Sequence, residues 1–118
     1  MRRFNRKTGQ LAEGMAVQAL KEKGYQILEN NFSNKYGEID IIAKDRETMV
    51  FVEVKAKKGL QYGLPEEMIN RNKLQKIRNM ATIYLKGKPA LCRIDVVAII
   101  LSPNNEIVSL NHYKNVYI

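Results

Sequence analysis

Two short runs hold the residue types that do chemistry: Gly37-Glu38-Ile39-Asp40 and Val52-Glu53-Val54-Lys55. Read as neighbouring strands, the two-residue side-chain period puts Glu53 and Lys55 on one side with Phe51 and Lys57. Val50, Val52, Val54 and Ala56 take the other side. The same period groups Glu38 with Asp40 and sets Ile39 and Ile41 opposite them. Carboxylates beside a lysine form either an ion-pair patch or a site for a hard divalent cation, which prefers oxygen ligands. In the second case the chemistry is metal-assisted phosphodiester hydrolysis. Asp40 and Glu53 hold Mg2+ or Mn2+, the backbone carbonyl of Val54 adds an oxygen, and Lys55 orients the attacking water or stabilises the pentavalent phosphate.

Two helices must support those strands. Leu11, Ala12, Met15, Ala16, Ala19 and Leu20 form an apolar stripe that predicts a helix over 8–23, with Thr8 as N-cap and Gly24 past its end. Glu13 lies at the border of that stripe. An acid in the first turns of a helix is favoured by the dipole alone; beside the strands it completes a metal shell. A second helix is expected over 66–86, opened by Glu66 and Glu67 and stopped by Gly87. Its buried stripe is Ile69, Leu74, Ile77, Met80, Ala81, Tyr84 and Leu85, and Lys73 falls inside it. Lys73 either snorkels past its apolar neighbours or reaches a phosphate at the end of the sheet. Each residue alone has an ordinary explanation: a Glu-x-Lys pair is usually two charges on a solvated face. Their agreement in phase, on two strands and two helices, favours the metal site.

Strands are expected over 25–29, 36–43, 49–57, 91–101 and 106–110, with a polar turn at 30–35 and a charged hairpin connection at 44–48. The order α-β-β-β-α-β-β implies a mixed sheet with a helix layer on at least one side. The loop after the third strand carries Lys57, Lys58 and Tyr62, which suit a clamp on a nucleic-acid backbone or a stack on a base, or else a passive connector. Residues 1–7 carry four positive charges and no acid; they read as a flexible arm that tracks phosphates or as a frayed terminus.

Composition bounds the rest. The chain has 118 residues, 45% of them apolar, which suits one domain over 1–118 with one core. The net charge of +8 points to a polyanionic partner, nucleic acid before a membrane face. No apolar run approaches the roughly 20 residues that span a bilayer, and no apolar segment follows the basic start as in a secretory signal. A single cysteine, Cys92, excludes an internal disulfide and a cysteine-based zinc site. These features favour the cytoplasm. Cys92 reads as a core residue, His112 as structural, and Arg93 and Asp95 as partners on one strand face. No phosphate-cradling glycine loop is present in the sequence.

Asp40 followed by Glu53-Val54-Lys55 resembles the PD-(D/E)xK signature of the restriction-endonuclease-like superfamily. More closely, Gly37-Glu38-Ile39-Asp40-Ile41-Ile42-Ala43 with Val50-Phe51-Val52-Glu53-Val54-Lys55 resembles the YraN-like family, uncharacterised protein family 0102. Gly9, Glu13, Gly24-Tyr25, Asn30-Asn31, Gly63 and Pro65, Lys73, and Arg93 with Asp95 match its other landmarks, across roughly residues 8 to 100. Two positions depart from the family pattern: Ala12 stands where glycine is usual, and Lys57 where arginine is frequent. The resemblance implies an α/β fold with a restriction-endonuclease-like αβββαβ core, a mixed central sheet flanked by helices, and here an extra C-terminal strand, similar to archaeal Holliday-junction resolvases. It implies Glu13, Asp40, Glu53 and Lys55 as the active-site set, DNA ahead of RNA as substrate, and it admits a homodimer. The expected function is a Mg2+- or Mn2+-dependent endonuclease on branched or repair-related DNA. The alternative is a nucleic-acid-binding module that keeps the fold with little activity, and a third option is a structural or protein-partner role.

Overall fold

The β-branched run around Val50 forms the middle of a five-stranded sheet. The structure, a computed structural model, describes residues 6–59, 63–65 and 69–116. Its strands are β1 (Gln26–Asn34), β2 (Gly37–Asp45), β3 (Thr48–Lys58), β4 (Cys92–Leu101) and β5 (Ile107–Tyr113), and its helices are α1 (Arg6–Glu22) and α2 (Arg71–Leu85). The strands lie in chain order across the sheet. Only β3 and β4 run parallel, and α2 lies in the connection between them, as a parallel pair demands. The result is a mixed sheet with a helix on each face. The order αβββαβ followed by one further strand is the one expected.

Alternation along the strands divides the core in two. Ile41, Ala43, Val50, Val52, Val97 and Ile99 pack with Ala12, Ala16 and Leu20 of α1. Ile39, Ile42, Phe51 and Ile94 pack with Leu74, Ile77 and Met80 of α2. β4 is buried along nearly its whole length, as its apolar run from Val96 to Leu101 suits a strand covered on both sides. Among the described residues, no helix is long and apolar enough to cross a membrane.

Several boundaries differ from the sequence reading. Thr8 is not an N-cap. It lies inside α1 and is buried, because it continues the i, i+4 line of Ala12, Ala16 and Leu20 that faces the sheet. Arg6 and Lys7 therefore belong to the helix rather than to an arm, and 1–5 lie outside the described residues. Leu11, assigned to the stripe, is 39% exposed, since the buried line is narrow where its members are alanines. Helix α2 is shorter than expected. Asn70 is extended (φ −142°, ψ 178°), and its side chain accepts from the Lys73 N–H at 2.9 Å, which makes Asn70 the cap. Glu66 and Glu67 lie outside the described residues. The polar stretch expected as a turn at 30–35 mostly belongs to β1, an edge strand that can keep polar side chains in water while its backbone pairs with β2. Cys92 is exposed rather than core, because it is the first residue of β4 at the mouth of the sheet.

Candidate active site

The site begins with a failure of regular pairing. β2 and β3 are paired from Asp45 and Thr48 as far as Ile41 and Val52, and the ladder stops there. Beyond it, the Val54 N–H donates to Asp40 Oδ2 at 2.8 Å, so a side chain replaces the missing backbone rung. The alternation of β2 slips at the same place. Ile41 packs toward α1 and Ile39 toward α2, so these two do not share a face as strict periodicity predicts. β1 follows β2 through the slip: Asn30 pairs with Ile41 and Phe32 with Ile39, and Asn31 between them takes a left-handed φ of 55°. Asparagine tolerates that conformation better than most residues. The parting of β2 from β3 leaves a cleft between these two inner strands, at the end away from their turn.

Acids converge there from three elements. Carboxylate oxygens of Glu13 (α1), Glu38 and Asp40 (both β2) lie within 4.8 Å of one another. The sequence-based site lacks Glu38, although its two-residue spacing from Asp40 is the signal that places it there. Asn31, also missed, lies beside Glu13 and favours its charged form through a side-chain hydrogen bond. Glu53 of β3 lines the same cleft as Glu38 and Asp40, whose volume is about 210 Å3. Glu53 stands apart from the close trio of oxygens. It is only 4% exposed and is ion-paired to Lys55 Nζ at 3.4 Å and Lys73 Nζ at 3.3 Å. Lys73 reaches it from the first turn of α2, which the Asn70 cap fixes.

This crowding has an electrostatic consequence. Burial pushes the Asp40 carboxyl up to about 8, and the charge of Glu53 adds to the effect. The Val54 N–H works in the opposite direction, while Glu13 and Glu38 push further upward. Burial also raises Glu13, and the Asn31 hydrogen bond offsets part of that. Clustered carboxylates that resist ionising together gain from a divalent cation, which supplies the missing positive charge. The donors are all carboxylate oxygens, so the set fits a hard cation such as Mg2+ or Mn2+. Within a strand, one residue's N–H and C=O point to the same side. The Val54 carbonyl is therefore directed to the opened edge of β3 with its N–H.

The remaining candidates fall elsewhere. Lys57 is half-buried on β3 and Lys58 is exposed at its end. Tyr62 lies outside the described residues. A second charged cluster, toward the β2–β3 turn, is closed on itself. Asp95 is fully buried and accepts from Arg93 Nε at 2.9 Å, the Asn115 N–H at 3.0 Å and Tyr25 Oη at 3.3 Å, and its Oδ2 lies 2.8 Å from His112 Nε2. Arg93 also bonds Asp45 and Tyr25. Burial works against the Asp95 charge, but its hydrogen bonds outweigh that and hold the carboxyl below its usual range. His112 thus has a structural place, and the expected pairing of Arg93 with Asp95 is present.

The sequence pattern described as "Uncharacterised protein family UPF0102" matches residues 12–99. A UPF0102 protein of Caldicellulosiruptor saccharolyticus is 40% identical over 115 residues, covering 95% of this chain and 98% of its own. One from Syntrophus aciditrophicus is 45% identical over 102 residues, covering 84% and 80%. One from Dictyoglomus turgidum is 36% identical over 116 residues, covering 96% and 98%. With the pattern spanning Glu13, Asp40, Glu53, Lys55 and Lys73 and such relatives matching nearly end to end, the chain belongs to uncharacterised protein family UPF0102.

Proposed function

We propose that the protein is a metal-dependent endonuclease that hydrolyses phosphodiester bonds of DNA, with branched or repair-related structures as its substrate class. One observation supports this most: where β2 parts from β3, Glu38, Asp40, Glu53 and Lys73 line one cleft, with Glu13 and Lys55 bonded or packed beside them. Glu13, Glu38, Asp40 and the Val54 carbonyl are the groups that would hold the cation, with Glu53 at their edge. A bound Mg2+ or Mn2+ supplies Lewis acidity toward water and a phosphoryl oxygen. Asp40 must lose its proton to take part. Glu53 must exchange a lysine partner, which frees an ammonium for the phosphate. Lys55, buried enough to be held in place, then faces the reacting group as a fixed positive charge.

The test is cleavage of a panel of labelled duplex, flap and four-way-junction DNAs with Mg2+ or Mn2+. Asp40→Asn and Glu53→Gln are each expected to lower the rate by about 100-fold or more, since several kcal/mol of transition-state stabilisation go with the cation. Cleavage that survives both substitutions would overturn the assignment. A second reading is a nucleic-acid-binding module with little activity. It is favoured by the two lysines that already neutralise Glu53. On that reading the wild type binds DNA in a salt-sensitive way and cleaves none of the panel with any divalent cation.

A further inference from the structure

Tyr36 has no role in the site just described, yet it forms part of the wall of its cleft. It sits in the two-residue turn between β1 and β2, and its N–H donates to Asn34 Oδ1 at 2.7 Å, which fixes the turn. A Cβ placed on Gly37 would be 3.7 Å from Met80 Cγ, so the turn lies against α2. The residue is 66% exposed. Tyr36 lines the cleft that contains Glu38, Asp40, Glu53 and Lys73. It also lines a second, adjoining hollow of about 240 Å3 with Lys76, Asn79, Met80 and Ile83. Lys35 Nζ stands 5.3 Å from the ring centroid, and Lys76 borders both hollows. An exposed aromatic residue thus stands with Lys35 over its ring and Lys76 in the same hollows, next to a cluster of carboxylates.

We propose that Tyr36 and the Lys76–Asn79 hollow form a subsite for one unpaired nucleobase, adjoining the phosphate that enters the acidic cleft. It rests on the nucleic-acid reading above and narrows its substrate class. A π-face stacks on any base without sequence preference. Lys35 and Lys76 match the charge of the flanking phosphates, and the Asn79 amide offers both a donor and an acceptor to a base edge. A base inside a continuous duplex is already stacked on both faces. A lone tyrosine therefore takes only a base that is out of the helix, as in a flap, a bulge or a single strand.

The experiment measures binding with Ca2+ in place of Mg2+, using oligonucleotides that carry 2-aminopurine. Three are compared at equal length: blunt duplex, duplex with one bulged 2-aminopurine, and single strand. Wild type is expected to bind the bulged and single-stranded forms more tightly than the duplex and to quench the probe. Tyr36→Ala should lose that preference by roughly 5- to 100-fold in Kd, together with the quenching. Tyr36→Phe should keep both. Equal binding of bulged DNA by wild type and Tyr36→Ala overturns the subsite, as does an equal loss in Tyr36→Phe, which would point to the hydroxyl. Failure of wild type to bind any of the three overturns it too. Because cleavage is not read, a Tyr36 effect in a protein that cleaves nothing leaves the subsite standing and removes only the nuclease reading.

Discussion

Asp40 stands between two demands. Its carboxylate closes the open edge of β3 through the Val54 N–H, and it does so among three other acids. The unfolded chain releases its proton near 3.8, whereas the folded protein holds it until about 8. The folded state therefore binds the extra proton between those values, and stability falls as pH rises through that window. Thermal melts in EDTA at about pH 5 and about pH 9 should show that decline. Asp40→Asn keeps an acceptor oxygen for Val54 and carries no charge. It should flatten the decline and stabilise the alkaline protein by on the order of 1–3 kcal/mol, while losing Mn2+ binding by calorimetry. The two lysines on Glu53 give a second prediction. Lys73 is 39% exposed at its side chain, so its pair adds only about 0.5–1 kcal/mol to the cation-free fold. It nevertheless competes with any cation for Glu53. Lys73→Met should lower the melting temperature slightly in EDTA and tighten Mn2+ binding several-fold, whereas Lys76→Met, which removes a cleft lysine from another position, should tighten it less. Equal effects of the two substitutions would show a general charge effect instead of competition at Glu53.

At the scale of elements, the site depends on how α2 and β4 are anchored. Asn70 caps α2 through the N–H of Lys73 itself. Asn70→Ala should cost about 1 kcal/mol by denaturant titration and blur the position of Lys73. The Asp95 cluster anchors the opposite end. It ties β4 to β5 through His112, to the start of β1 through Tyr25, and to the chain end through the Asn115 N–H. Asp95→Ala strands Arg93 beside a buried gap and should destabilise by about 3–5 kcal/mol. Its effect on cleavage should be no larger than that loss of folded protein explains, because the cluster lies toward the β2–β3 turn and not at the cleft.

For the whole molecule, the net charge of +8 governs encounter with a polyanion. Binding to a duplex should weaken linearly on a log–log plot against salt, by about 0.9 per phosphate neutralised. Removing Lys73 should reduce that slope by about 1 if it meets a phosphate. The sheet itself tolerates such surface changes, since its two cores are sealed by apolar side chains on either face.

The strand and helix periods alone determine the element order, most of the two buried stripes, the pairing of Glu53 with Lys55 on one side of β3, and the presence of Asp40 on the next strand. These properties depend on local spacing, which a sequence states directly. Periodicity has no means of describing where a ladder ends. The slip that sends Ile41 toward α1 and Ile39 toward α2 goes with the left-handed Asn31 and the end of the β2–β3 ladder. That opening brings Glu38 beside Asp40 and Glu13, and it leaves Glu53 to the lysines. It also sets Tyr36 at the rim of the cleft, although in the sequence Tyr36 is only the residue before Gly37. Thus the chain's residue types and their local spacing were legible before folding. Their grouping was decided by a break in regular structure that only long-range packing creates.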